Sequence, residues 1–325
     1  MEQNMEQNME QNTEQIFEQE QKNETEKPKK VKKVIPENGC SRIRWVITFI
    51  LSFIIGSLIG GVMAKIITEE VAVFKAGGSL AFLAEYMNAM ITFFFCFLVT
   101  IFFIKKIAKT SFRSFVLGTA RVKHTREVWE IIGLYVVGVA LGTIPTIGNV
   151  TVTTAPVSHI LITIVAALIF TWFQTTTEEM WFRGIFARFA YGDDIKKPFC
   201  AGTFFLVLFS SVTFMAMHIA NPEVQTSSGT DVIFSILTYL IPGIMLMVSD
   251  LYLGTLEAGI GIHWINNFLG FTVLGAEVSA GASPTIFIDH TTVNKGFWAL
   301  IGTVIAYAPV LIYIIVKSRK NREIS

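Results

Sequence analysis

The chain has 325 residues, of which 52% are hydrophobic and 16% charged, with a mean hydropathy of +0.55 and a formal net charge of +1. Soluble domains carry about a quarter charged residues, so the composition argues against an ordinary cytosolic enzyme, and no basic excess is left to neutralise nucleic-acid phosphates. Twenty-eight Phe without a long alternating run point to helices in lipid rather than a β-barrel.

The chain opens on the polar repeat MEQNMEQNMEQN and stays rich in Glu and Gln as far as Glu26, with almost nothing to bury, which predicts disorder. It lacks the basic start and early apolar run of a secretory signal. Between Lys27 and Arg44 seven cations face a single Glu37, a juxtamembrane segment suited to anionic lipid headgroups. A disordered polar and then basic tail is therefore expected over 1–42. Apolar stretches of about 20 residues, enough to cross a bilayer core as helix, follow at about 43–64, 82–104, 128–148, 158–176, 199–219, 232–249, 255–275 and 297–316, before a basic tail over 317–325. The expectation is an all-α, polytopic bundle of about eight transmembrane helices over 43–316. With the N-terminus inside, 23 of the 26 Lys and Arg fall on the inner side, leaving Lys65, Lys75 and Lys295 outside. That asymmetry predicts two cytoplasmic termini. No internal repeat of the kind that builds transporters is present.

Ionisable residues at membrane depth cost about 2.5 to 3.5 kcal/mol each on insertion scales, and here they concentrate in three places within 175–267. The first is Thr177-Glu178-Glu179-Met180-Trp181-Phe182-Arg183, the second Phe214 with His218, the third His263 with Asn267. Glu179 and Arg183 are spaced as an i,i+4 ion pair, which leaves Glu178, rotated about 100° away, for another task. His263 and Asn267 share a helix face, and Phe214 sits one turn before His218. Helix rise places Glu178, His218 and His263 about 21, 27 and 20 Å from the inner ends of their helices, near enough in depth to line one polar cavity. Two chemistries fit such a cavity. A carboxylate and an imidazole share the deprotonation of a water while N–H groups of His263 and Asn267 receive an oxyanion. Alternatively Glu178, His218 and His263 hold a catalytic zinc with one open position. No HExxH helix is present.

EExxxR (Glu178, Glu179, Arg183), FxxxH (Phe214, His218) and HxxxN (His263, Asn267), complete and in this order, resemble the CPBP intramembrane protease family, also called the Abi family. It includes the type II CAAX prenyl endopeptidases. The resemblance runs from about the third to the seventh span; the tail, the first spans and the last carry none of it. It implies a helical bundle around a conical, water-accessible cavity and an intramembrane endopeptidase. Glu178 with His218 would activate water, His263 with Asn267 would bind the oxyanion, and Glu179, Arg183 and Phe214 would hold the site in shape. Members are described both as metalloproteases and as glutamate-dependent enzymes without a metal, so zinc stays open here, with a metal-free Glu178 mechanism preferred. Implied partners are membrane lipids and a peptide or small membrane-protein substrate, and no nucleic acid. The Asn- and Glu-rich low-complexity sequence suggests a bacterial membrane and therefore small membrane-associated or exported peptides. A non-catalytic immunity or scaffolding protein that uses the cavity for binding is the alternative.

Other polar residues have plainer readings. Asn266 is expected to face away from the site, His124, His159 and His290 to be solvated, Asp193 and Asp194 to lie in a solvated turn. Asp250 and Glu257 are expected at the membrane surface, Phe93, Phe94 and Phe95 toward lipid, and Cys40, Cys96 and Cys200 to serve as small apolar groups.

Overall fold

The computed structural model describes residues 42–118, 125–197, 200–278, 282–290 and 296–324; Cys40, His124, Lys295 and all but the last residue of the predicted tail over 1–42 lie outside them. In chain order the helices are α1 Arg42–Glu70, α2 Ala84–Lys106, α3 Phe112–Leu117, α4 Thr125–Gly142, α5 Val157–Glu179, α6 Phe186–Tyr191, α7 Ala201–Met217, α8 Pro222–Gln225, α9 Asp231–Leu253, α10 Glu257–Thr272 and α11 Gly296–Ile324. A π turn, Met180–Ile185, joins α5 to α6 without a break, and the composite helix stops at Gly192, whose φ of +72° disfavours any side chain.

The eight predicted spans all appear as helices, and the protein is an all-helical bundle. Five of the helices are long and apolar enough to cross a membrane: Arg42–Glu70, Ala81–Lys106, Val157–Tyr191, Asp231–Leu253 and Gly296–Arg319. The other three, α4, α7 and α10, have 18, 17 and 16 residues, about 24 to 27 Å of helix. Each stops short of its sequence run: α4 gives way after Gly142 to a 3₁₀ turn that carries Pro145, α7 is capped by His218, and α10 ends at Thr272, just before a strand over Leu274–Ala276. At the other end of the chain α11 runs on to Ile324, so most of the predicted tail over 317–325 continues that helix.

Lipid gives apolar side chains little reason to leave it for each other, so these helices associate by close approach. Gly56 and Gly60 of α1 lie against Cys96 and Thr92 of α2, where an added Cβ would come within 3.2 and 2.4 Å of backbone. Ile50, Ile54 and Leu58 of α1 and Phe205 and Phe209 of α7 stay exposed on the outer surface, as lipid-facing residues do. The Phe93–Phe95 run departs from its expected lipid exposure. Phe94 packs edge-on to Phe173 with ring centroids 5.0 Å apart, and Phe93 packs on the core around Trp181. Three consecutive helical residues span about 200° of the surface, so they cannot all face lipid on a helix that packs on two neighbours. Cys96 is buried, whereas Cys200 is exposed.

One small sheet, invisible in the sequence pattern, closes an end of the bundle. Strands β1 Val150–Val152, β2 Leu274–Ala276 and β3 Phe287–Asp289 lie in the order β1-β3-β2, β1 antiparallel and β2 parallel to β3. They tie the α4–α5 connection to the one between α10 and α11. His290 bridges it, its ring nitrogens 2.9 Å from Thr151 Oγ1 and 2.9 Å from Glu277 Oε2, so it is engaged rather than simply solvated. His159 likewise stacks on Phe82, with ring centroids 3.7 Å apart.

Asp250, expected at the membrane surface, is only 1% exposed. It turns back across the α9–α10 connection and accepts the Gly259 backbone N–H at 2.8 Å, satisfying an orphan donor in the first turn of α10. A Cβ on residue 259 would come within 2.6 Å of that carboxylate. Gly259→Ala is therefore expected to lower the thermal stability of the detergent-purified protein by about 1 to 3 kcal/mol, read against Gly270→Ala, where nothing lies within 4 Å.

Candidate active site

The first motif ends α5 and enters the π turn. Glu178 is 4% exposed and Glu179 and Arg183 are completely buried. The predicted spacing holds through the turn: Arg183 Nη1 lies 3.3 Å from Glu179 Oε1. The guanidinium also sits over the Phe214 ring, its carbon 4.1 Å from the centroid, a contact that desolvation strengthens. Arg183 thus joins the first motif to the second, and Phe214 acts as its floor.

His218 is the C-cap of α7, one residue beyond the last helical turn. Its Nδ1 lies 2.7 Å from the Phe214 carbonyl oxygen. A carbonyl only accepts, so Nδ1 carries the proton and a neutral ring keeps its lone pair on Nε2. The ring lies between Phe214 and Tyr239, with centroids 4.4 and 4.5 Å away. Tyr239 donates to Glu223 Oε1, and Asn221 Nδ2 donates to the Tyr239 hydroxyl at 3.1 Å and to Glu223 at 3.3 Å. Although helix rise places it far out along α7, His218 lines the same cavity as His263.

His263, on α10, stands between the two carboxylates. Nδ1 is 2.7 Å from Glu179 Oε1 and Nε2 is 3.4 Å from Glu178 Oε2. The ring thus links the two carboxylates, one nitrogen directed at each. Asn267, one turn later, donates to Gln174 Oε1 at 3.5 Å, and Gln174 Nε2 donates to Glu178 Oε1 at 3.4 Å.

A cavity of about 420 Å³ opens over this arrangement, with His218, His263, Asn267, Asn266, Gln174 and Tyr239 on its wall. Glu178 is set one contact behind that wall, reached through Gln174 and His263. Asn266 differs from expectation. It lies on the cavity and donates to Asn267 Oδ1 at 2.9 Å, because a wide cavity admits two adjacent helical positions about 100° apart. Gln174, Tyr239 and Glu223 carry no motif signal; only the position of Gln174, one turn before Glu178, marked it. Among the described residues no group of three His, Cys, Asp or Glu side chains is arranged to hold a metal ion. Both nitrogens of His263 are directed at carboxylates, so the set Glu178, His218 and His263 does not converge on one point, and no step below runs through a metal.

All three motifs fall inside one family match: residues 159–269 match the family described as type II CAAX prenyl endopeptidase Rce1-like. This stretch is an Rce1-like domain. The domain begins at the start of α5 and ends in α10, so it contains the two carboxylates, Arg183, both imidazoles and Asn267. Over 164 residues the chain is also 28% identical to a Bacillus subtilis (strain 168) protein described as the uncharacterized protein YyaK. That match covers 49% of this chain and 50% of the relative, so the chain spans about half the length of the curated relative it matches. No solved structure matches. The Rce1-like family is a peptidase family, and with five helices able to cross a membrane the protein is an integral membrane protein.

Proposed function

We propose that the Rce1-like domain hydrolyses a peptide bond of a membrane-associated or exported peptide, by attack of a water activated by Glu178. The observation that carries this is the placement of His263 between Glu179 at 2.7 Å and Glu178 at 3.4 Å, on a cavity that His218 and Asn267 also line. His218, with Nδ1–H held by the Phe214 carbonyl, offers Nε2 to the same water. Glu179 and Arg183 position His263 and Phe214 and touch no substrate.

As water adds to the scissile carbonyl, its proton passes to Glu178 and the carbonyl oxygen becomes an oxyanion. Asn267 supplies an N–H to that oxygen. The His263 ring nitrogens are directed at the two glutamates, so the direct donor role implied by the family resemblance would require it to release Glu178. The oxyanion then collapses to the new carboxyl group, the C–N bond breaks, and the proton on Glu178 goes to the leaving amine nitrogen. Groups aimed in advance at developing charge supply most of the acceleration in such sites. The bias of Lys and Arg toward one side supports two cytoplasmic termini, the proposed setting is a bacterial cell membrane, and the proposed substrate class follows from that setting.

Comparative peptidomics of cells producing either the wild-type protein or Glu178→Gln tests this reading. At least one membrane-associated or exported precursor is expected to persist uncleaved in the variant. Identical peptide sets from the two strains, at equal protein levels, would overturn it.

A further inference from the structure

Asn266 and Gln174 form, with their neighbours, an unbroken chain of side-chain hydrogen bonds that no motif contains. Tyr135 Oη lies 2.5 Å from Asn266 Oδ1, Asn266 Nδ2 lies 2.9 Å from Asn267 Oδ1, Asn267 Nδ2 lies 3.5 Å from Gln174 Oε1, and Gln174 Nε2 lies 3.4 Å from Glu178 Oε1. Four residues of the chain, Tyr135, Asn266, Asn267 and Gln174, line the cavity, and Glu178 ends it.

Its direction is dictated from one end. An ionised carboxylate has no proton to give, so Gln174 must turn its NH2 toward Glu178. The Gln174 carbonyl then faces Asn267, which must offer its own NH2 and leave its carbonyl for Asn266. Asn266 in turn offers NH2 to Asn267 and receives the Tyr135 hydroxyl proton. Every amide along the row therefore points one way for as long as Glu178 is charged. Each amide nitrogen has two hydrogens and the row uses one, so Asn267 keeps a second N–H for the cavity. Reversing any member reverses the dipole of Asn267 and presents its oxygen where an oxyanion is to be received.

We infer that Asn266 and Gln174 are positioning residues that lock the amide of Asn267 in the donor orientation and tie it to the charge on Glu178. This rests on the proposed hydrolysis for its consequence in turnover, and on the hydrogen-bond row alone for its consequence in geometry. Hydrogen bonds in a row polarise one another.

Two measurements test it on the full chain in detergent or proteoliposomes. In the first, protein labelled with ¹⁵N at asparagine is compared with Gln174→Met, which has similar length but neither donor nor acceptor. Side-chain amide resonances of both Asn267 and Asn266 are expected to move, although Asn266 is two links away; movement of Asn267 alone, or of neither, would overturn the chain. In the second, turnover of an internally quenched peptide library is compared for three variants at Asn266. Asp, which only accepts when ionised, is expected to lower kcat about tenfold or more with KM within twofold. Ser, which still donates and accepts, is expected to stay within about threefold of wild type, and Ala to fall between them. Equal kcat in all three, or parallel losses with a rising KM, would overturn the positioning role. Glu178→Gln is the internal reference: wild-type turnover there defeats the hydrolysis reading, whereas an inactive Glu178→Gln beside a fully active Asn266→Asp defeats only this one. Should Asn266→Asp fail to accumulate in the membrane, the kcat of Gln174→Met takes its place with the same expectation.

Discussion

Glu178→Gln, inserted at wild-type level, is expected to cleave about 10² to 10⁴ times more slowly, the contribution of a general base, with KM nearly unchanged. The substitution is close to silent structurally. A glutamine at 178 keeps a carbonyl oxygen for Gln174 and an NH2 for His263, so the neighbours at 3.4 Å on either side keep a partner. What it removes is the ability to take a proton from water. The loss therefore appears in kcat, the signature of an interaction made in the transition state. Glu179→Gln provides the contrast. Its carboxylate sits fully buried against Arg183 at 3.3 Å and His263 at 2.7 Å, and breaking a buried pair costs about 3 to 5 kcal/mol because the partner charge is left uncompensated. That variant is expected to lose thermal stability as well as turnover. Unfolding temperature and kcat measured on both proteins separate the roles: equal thermal stability losses in the two variants would place Glu178 in the scaffold.

The second large effect is expected far from any charge. Gly138 and Gly142 of α4 face Gly302 and Ala306 of α11, two pairs with the same four-residue spacing. A Cβ on residue 138 would lie 2.0 Å from the Ala306 carbonyl oxygen, and one on residue 142 would lie 2.4 Å from that of Gly302. These obstacles are backbone atoms, which cannot rotate aside, so Gly138→Val must push the two helices apart. The expected result is loss of about 3 kcal/mol or more, at the upper end for overpacking, seen as reduced accumulation and early thermal unfolding in detergent. Gly133→Val, on the same helix with nothing within 4 Å, is the matched control and is expected to be nearly neutral. Because Gly142, Gly302 and Ala306 also line the cavity, a surviving Gly138→Val protein should show altered substrate preference. A stable, fully active variant would mean that α11 yields more easily than its contacts imply.

The motif residues were legible because membrane depth makes charge conspicuous: Glu178, Glu179, Arg183, His218 and His263 stand out from apolar surroundings. The i,i+4 relation of Glu179 and Arg183 follows from local periodicity and appears in the structure. What local pattern could not reveal is whatever depends on a partner from another helix. Asn266 was read as facing elsewhere, since a single helix gives no measure of how wide the cavity beside it is. Asp250 was placed at the surface because its partner, the Gly259 N–H, has no side chain to announce it. Three-residue strands exist only through pairing, and Gln174 and Tyr239 are ordinary residues until His218 and Glu178 are placed beside them.

The π turn over Met180–Ile185, all six residues buried, joins two halves of the composite helix with different duties. Upstream, Gln174 and Glu178 serve the cavity; downstream, Arg188 lies over the Phe115 ring, 4.1 Å from its centroid. A π turn takes up one residue more than an α-helix would, so deleting a single residue there would relax it to regular helix with the two halves near their present phase, whereas a deletion in the regular helix on either side would turn them by about 100° relative to each other. The extra residue between Glu179 and Phe186 thus serves to bury six residues in one stretch rather than to set the phase of the halves.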